Sequence, residues 1–209
     1  MHVRFLGDSF DIVKQSLLRW LAQCGPWSAH PMFTEEVTVD QADAFSHLLG
    51  VPLISREVLS RESDRAAYFA AARTCSTHLF LDPDTGLFLG RAGRRRKPRY
   101  LYADEIAAIA ARPGALTLVF DQSFPHGGER ACLEKKLSIL AAEGLSGVAY
   151  VSHACFILVG QGCELVEGAL QALLKQSHLP KERFVERRAA EQPDAVDERR
   201  IVRRSGARC

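Results

Sequence analysis

Thr77-His78-Leu79-Phe80-Leu81-Asp82-Pro83-Asp84-Thr85-Gly86 is an apolar run that stops abruptly in acid, proline and glycine. The run is strand-sized and lacks polar alternation, so it predicts a strand covered on both faces. A second run, Ala115-Leu116-Thr117-Leu118-Val119-Phe120, likewise ends in an acid, Asp121. Between the two, residues 104–112 read as a helix closed by Pro113-Gly114. Beyond them, residues 129–143 place Leu133, Leu137 and Leu140 on one helical face before Gly144. Strand, helix, strand, helix, strand predicts an α/β protein, a Rossmann-like three-layer sandwich with a mostly parallel sheet. The apolar runs at 148–152 and 155–159 are too close for a parallel crossover, so they predict a C-terminal antiparallel hairpin.

Upstream of the deciding stretch, Asp8 or Ser9 can cap a helix whose apolar face holds Ile12, Leu17, Trp20 and Leu21, with Gly25-Pro26 as its stop. Residues 27–33 read as extended, and Pro31 argues against a central place in a sheet. A helix from Asp40 to Gly50, a short strand at 51–55 and a helix from Asp64 through Arg73 follow. Residues 164–176 form the last predicted helix, with Leu165, Ala169, Leu170 and Leu173 on its buried face. From Lys181 onward arginine, glutamate and proline dominate and large apolar residues thin out. Such a segment buries too little to offset its ordering entropy. The expected organisation is a domain at 1–178 and a charged, disordered tail at 179–209.

A chain of 209 residues with 47% hydrophobic content can bury one sizeable core. The formal net charge of +2 gives no global electrostatic pull toward nucleic acid. The six cysteines form no C-x-x-C pair, a pattern that fits free thiols in a reducing compartment. No apolar run is long enough to span a membrane and no leader is evident, so the expectation is a soluble, cytoplasmic protein without a membrane partner.

Ligands of open parallel sheets bind beyond the carboxyl ends of the strands. Asp82, Asp84 and Asp121 stand there and are the candidate catalytic residues. Gathered at one edge, they could hold Mg²⁺ or Mn²⁺, act as a base, or bind ribose or amine groups. The same Asp-Pro-Asp-Thr-Gly composition also makes a tight turn with no chemical role. Residues 91–99 contain no acid, and Arg94, Arg95, Arg96 and Lys97 could contact substrate phosphate, with Tyr100 and Tyr102 near enough to stack on a base. A solvated surface loop is the alternative. His126, beside Gly127-Gly128, is the histidine best placed to reach the edge. Neither a G-x-S-x-G elbow nor a Gly-x-x-x-x-Gly-Lys phosphate loop occurs.

Gly7-Asp8-Ser9-Phe10-Asp11-Ile12-Val13-Lys14 reads locally as a helix start, with a cap and a first-turn acid. It also resembles the G-N-x-x-D-x-x-K stretch near the start of 23S ribosomal RNA adenine-N6 methyltransferases. Gly7, Asp11 and Lys14 match, while Asp8 replaces the asparagine and Gln15 the histidine that follows. Asp82-Pro83 resembles the opening of that family's D-P-P-[YF], with Asp84-Thr85 in place of the second proline and the aromatic. The 148–159 hairpin is similar to the antiparallel strands that close the methyltransferase sheet.

The resemblance implies a class I methyltransferase-type domain, with S-adenosylmethionine as cofactor, Gly7, Asp8, Asp11 and Lys14 as cofactor-binding residues, and a nucleotide or nucleic acid as partner. The family's glycine-rich cofactor loop is replaced here by His30-Pro31-Met32-Phe33-Thr34-Glu35-Glu36, and the aromatic that stacks on a flipped base is missing. A related domain with changed chemistry fits these departures. A Mg²⁺- or Mn²⁺-dependent nuclease and a non-catalytic binding module on the same scaffold are the other readings.

Overall fold

The computed structural model describes residues 3–89 and 96–189. Its elements run β1 (Trp27–His30), β2 (His78–Leu81), β3 (Gly86–Phe88), β4 (Tyr100–Tyr102), β5 (Thr117–Asp121), β6 (Ser146–Tyr150), β7 (Cys155–Gly160) and β8 (Phe184–Arg187). The helices are α1 (Ser9–Leu21), α2 (Val39–Leu49), α3 (Arg65–Tyr68), α4 (Ala70–Thr74), α5 (Ala103–Ala110), α6 (Glu129–Ala142) and α7 (Cys163–Ser177). Among the described residues six strands form one sheet in the order β1-β2-β5-β7-β6-β8. Strands β1, β2 and β5 are mutually parallel, and β6 shares their direction through two successive antiparallel pairings with β7. Four of the six strands therefore run one way, and β7 and β8 run against them. The protein is an α/β, Rossmann-like three-layer sandwich closed by an antiparallel hairpin.

Strand parity sorts the core into two layers. Phe80, Leu118, Phe120, Phe156 and Leu158 meet Leu17 and Leu21 of α1, Phe45 of α2 and Leu170 of α7. The alternate residues Leu79, Leu81, Val119, Ile157 and Val159 meet Ile106 of α5 and Leu133, Leu137 and Leu140 of α6 on the other face. Every residue of β2, β5 and β7 is buried, which is why their sequences show no polar alternation.

Local chemistry sets the helix ends. The Asp8 carboxylate caps α1 by accepting from the Phe10 and Asp11 amides at 2.9 and 3.1 Å. Thr38 and Gln41 make a reciprocal capping box for α2, and Gly50 ends it in the left-handed conformation.

The structure departs from the sequence reading in several places. β1 is an edge strand, as Pro31 suggested, but 51–55 contributes only an isolated bridge between Leu53 and Ala29. The helix expected from Asp64 to Arg73 is broken at Phe69 into α3 and α4. Residues 86–88 and 100–102, to which the sequence reading assigns no strand, pair in parallel as a separate small sheet. Residues 184–187, assigned to the tail, form β8 on the edge of β6. Phe184 makes that strand possible: it is buried against Tyr150, with ring centroids 5.3 Å apart. Residues 190–209 of the predicted tail lie outside the described residues.

Candidate functional site

Two stretches distant in sequence close on each other at the carboxyl ends of β1, β2 and β5. The Gly7 amide donates to Asp11 Oδ2 at 2.9 Å, and Lys14 Nζ reaches Asp11 Oδ1 at 2.9 Å from one turn further along α1. The same ammonium bonds Asp82 Oδ2, just beyond β2, at 2.9 Å. All three side chains are nearly inaccessible, at 2% for Asp11, 4% for Lys14 and 1% for Asp82. Lys14 also lies 4.5 Å from the centroid of the Phe120 ring.

This buried Asp–Lys–Asp arrangement is the inner wall of a pocket of about 180 Å³. Phe5, Phe10 and Phe120 supply its aromatic surface, and Asp8, Asp84 and Gln122 its polar surface. Burial pushes the Asp82 carboxyl above its ordinary range, and Lys14 opposes that rise. Burial works to lower the Lys14 ammonium, but Asp82 and Asp11 outweigh it and hold the group above the usual lysine value. The arrangement can fix a carboxylate at the pocket wall as an acceptor for a donor-bearing ligand.

Asp121 is not part of this site, and the expected gathering of Asp82, Asp84 and Asp121 does not form. Among the described residues no group of three histidine, cysteine or carboxylate side chains is placed to hold a metal ion. Strand register explains the separation. Leu81 is level with Val119, so the next step brings Asp82 level with Phe120, facing α1. Asp121 lies one residue further and faces α6 instead, where Lys136 Nζ meets its Oδ2 at 2.5 Å. Its Oδ1 accepts from the Leu87 amide, the Ser123 amide and Ser123 Oγ at 3.1, 3.0 and 2.6 Å. These bonds make the Asp121 carboxylate an anchor that ties the 86–88 and 122–123 segments to α6.

Gly86 belongs to that anchor. Its φ is +129°, and a Cβ there would sit 2.0 Å from Asp121 Oδ1. The two ends of Asp82-Pro83-Asp84-Thr85-Gly86 thus serve different purposes: Asp82 and Asp84 line the pocket, whereas Gly86 lets the backbone lie against Asp121.

Of the proposed phosphate-binding residues, Arg94 and Arg95 lie outside the described residues. Arg96 is engaged elsewhere, pairing with Asp104 at 2.7 Å and Glu105 at 2.8 Å and lying over the Tyr102 ring. The acids missing from 91–99 are thus supplied by the first turn of α5. Lys97 is exposed, and its amide donates to the Tyr102 hydroxyl. His126 is exposed in the 125–127 turn and does not line the pocket.

Sequence reasoning passed over Lys136, Phe5 and Phe10. Lys136 had a readable signal, because it falls between Leu133, Leu137 and Leu140 at helical spacing and so lies on the buried face of α6. The two phenylalanines flank the Asp8 cap and carried none.

At the carboxyl end of β1, where the resemblance places a glycine-rich cofactor loop, the space is filled. His30 and Met32 are fully buried and Phe33 is 1% exposed. These residues do not fit S-adenosylmethionine held in that manner, and no methyl-transfer step follows from them. Comparison with protein-family models, with curated proteins and with solved structures returns no match. Among the described residues no helix is long and apolar enough to cross a membrane.

Proposed function

We propose that this chain is a methyltransferase-type domain that keeps the ligand edge of such proteins but not the methyl-donor cradle, and that it binds a nucleoside or nucleotide through the Asp82 pocket. The supporting observation is the Lys14–Asp82 ion pair of 2.9 Å, which joins the two stretches on which the family resemblance rests. Those stretches are 68 residues apart, and each reads locally as an ordinary helix start or turn. Their meeting at the end of parallel strands is what a ligand edge requires.

Size narrows the reading. Pockets for whole drug-sized ligands begin at roughly 300 Å³, and this one holds about 180 Å³. It accommodates a heterocyclic base rather than a complete dinucleotide. Asp82, fixed by Lys14, accepts a hydrogen bond from a ring or exocyclic N–H, while Phe10 and Phe120 offer apolar surface to the ring. The sugar and any further groups extend outward past Asp8 and Asp84.

Calorimetric titration of the full chain with adenosine, guanosine, cytidine and S-adenosylmethionine tests this reading. At least one nucleoside is expected to bind, and Asp82→Asn, which keeps an acceptor for Lys14, is expected to weaken it by about tenfold or more. Absence of heat from every ligand at millimolar concentration would end the proposal.

A further inference from the structure

A second cavity adjoins the Asp82 pocket. Across the Asp82–Gly86 turn, on the α6 side of the sheet, lies an open groove of about 510 Å³ walled by Leu87, Phe88, Tyr100 and Phe124. Lys136 and Ser123 also line it, and both are spent on each other and on Asp121. Gln122 lines the groove and the pocket alike, while Asp84 faces the pocket and Thr85 the groove. Thr85 is the ridge between them. Its carbonyl accepts from the Gln122 amide and its amide donates to the Arg99 carbonyl, each at 2.9 Å.

Three features suit this groove to a second ring joined to the first through phosphate. Among the described residues two phenylalanines are exposed, Phe5 at 49% and Phe88 at 37%, and each lines one of the two cavities. The Phe88 ring is held against Tyr100 and Tyr102, with centroids 5.3 and 5.6 Å away, so it is a fixed stacking surface. Arg99, beside the ridge, is exposed, lies over the Tyr100 ring at 5.3 Å and makes no ion pair among the described residues. A guanidinium stacked on a ring with its charge unpaired is placed to meet phosphate. The Gln122 carboxamide, at the join, makes no hydrogen bond to the described residues, so its donor and acceptor are open to a ligand.

We infer that pocket and groove are two halves of one site whose ligand is a dinucleotide, an inference that rests on the nucleoside reading and extends it. One base enters the Asp82 pocket, the linking phosphate crosses Thr85 beside Arg99, and the second base lies on Phe88 and Tyr100. Two sources supply such a ligand, a 3′,5′-linked nucleotide chain and a free 5′,5′-linked dinucleotide. Titration of the full chain tests this with adenosine, guanosine and cytidine, each beside its 3′,5′-linked dinucleoside monophosphate and its 5′,5′-pyrophosphate-linked dinucleotide. For at least one base, one linkage is expected to bind about tenfold tighter than the nucleoside, and the linkage that gains identifies the source. Phe88→Ala is expected to shrink that gain about fivefold without moving the nucleoside affinity, and Arg99→Gln to flatten its salt dependence. If nucleosides bind and no dinucleotide gains on them, or Phe88→Ala leaves the gain intact, the inference is overturned while the nucleoside reading stands. If no ligand binds at millimolar concentration, both fall together.

Discussion

His30 supplies a direct test of how burial governs stability in this sheet. It ends β1 with its ring fully buried against Tyr68 and Phe69, at centroid distances of 4.8 and 5.6 Å. Neither ring nitrogen has a hydrogen-bond partner among the described residues. Burial therefore holds its pKa down at about 4, from an ordinary 6.5. The folded-state value is depressed, so the unfolded chain takes up a proton below pH 6.5 that the folded chain refuses until about pH 4. The contribution is present in full above pH 6.5 and is lost as the pH falls through that window. A gap of about 2.5 pH units at about 1.4 kcal/mol per unit gives a loss of about 3 kcal/mol. His30→Leu removes the titrating group and two unsatisfied polar atoms at similar volume. Urea unfolding of both proteins at intervals from pH 7.5 to pH 4 reads the difference. The variant is expected to match or exceed the parent at pH 7.5 and to escape the acid loss. Parallel stability curves for the two proteins across that range would refute the reasoning.

Two further changes probe the Asp121 anchor. Lys136→Met strands a fully buried carboxylate and is expected to cost about 3–5 kcal/mol in denaturant unfolding, whereas the double variant Asp121→Asn with Lys136→Met recovers part of that loss; strictly additive costs would mean the pair is not coupled. Gly86→Ala drives a Cβ to 2.0 Å from Asp121 Oδ1 at a φ of +129°, so a loss of at least about 2 kcal/mol is expected, and an unchanged midpoint would show that the loop does not lie as described.

Much of the architecture was legible because burial on both faces leaves a plain mark in sequence. The runs that became β2, β5 and β7 are continuous and apolar, and the amphipathic stretches between them became α5 and α6. What local pattern could not supply was register. Whether Asp82 and Asp121 face the same layer depends on Leu81 standing level with Val119, a long-range relation that neither strand encodes alone. For the same reason β8 was invisible: Phe184-Val185-Glu186-Arg187 is a four-residue, half-charged stretch inside a charged segment and becomes a strand against the open edge of β6. The candidate site was legible in halves. Asp82 and Lys14 were each marked by local motifs, but their ion pair, the aromatic walls and the diversion of Asp121 to Lys136 are products of tertiary packing.

The place of β7 in the sheet has a consequence for how the chain assembles. β7 is bonded on one side to β5 and on the other to β6, both of which are synthesised before it. Until residue 160 has left the ribosome, β5 carries an open edge in the middle of the future sheet and β6 has nowhere to attach. A nascent chain halted in that interval exposes an unpaired strand edge around Leu118-Val119-Phe120, the kind of surface that recruits other chains. The joining of β6 and β8 to the parallel strands therefore waits on a strand from the last quarter of the described chain.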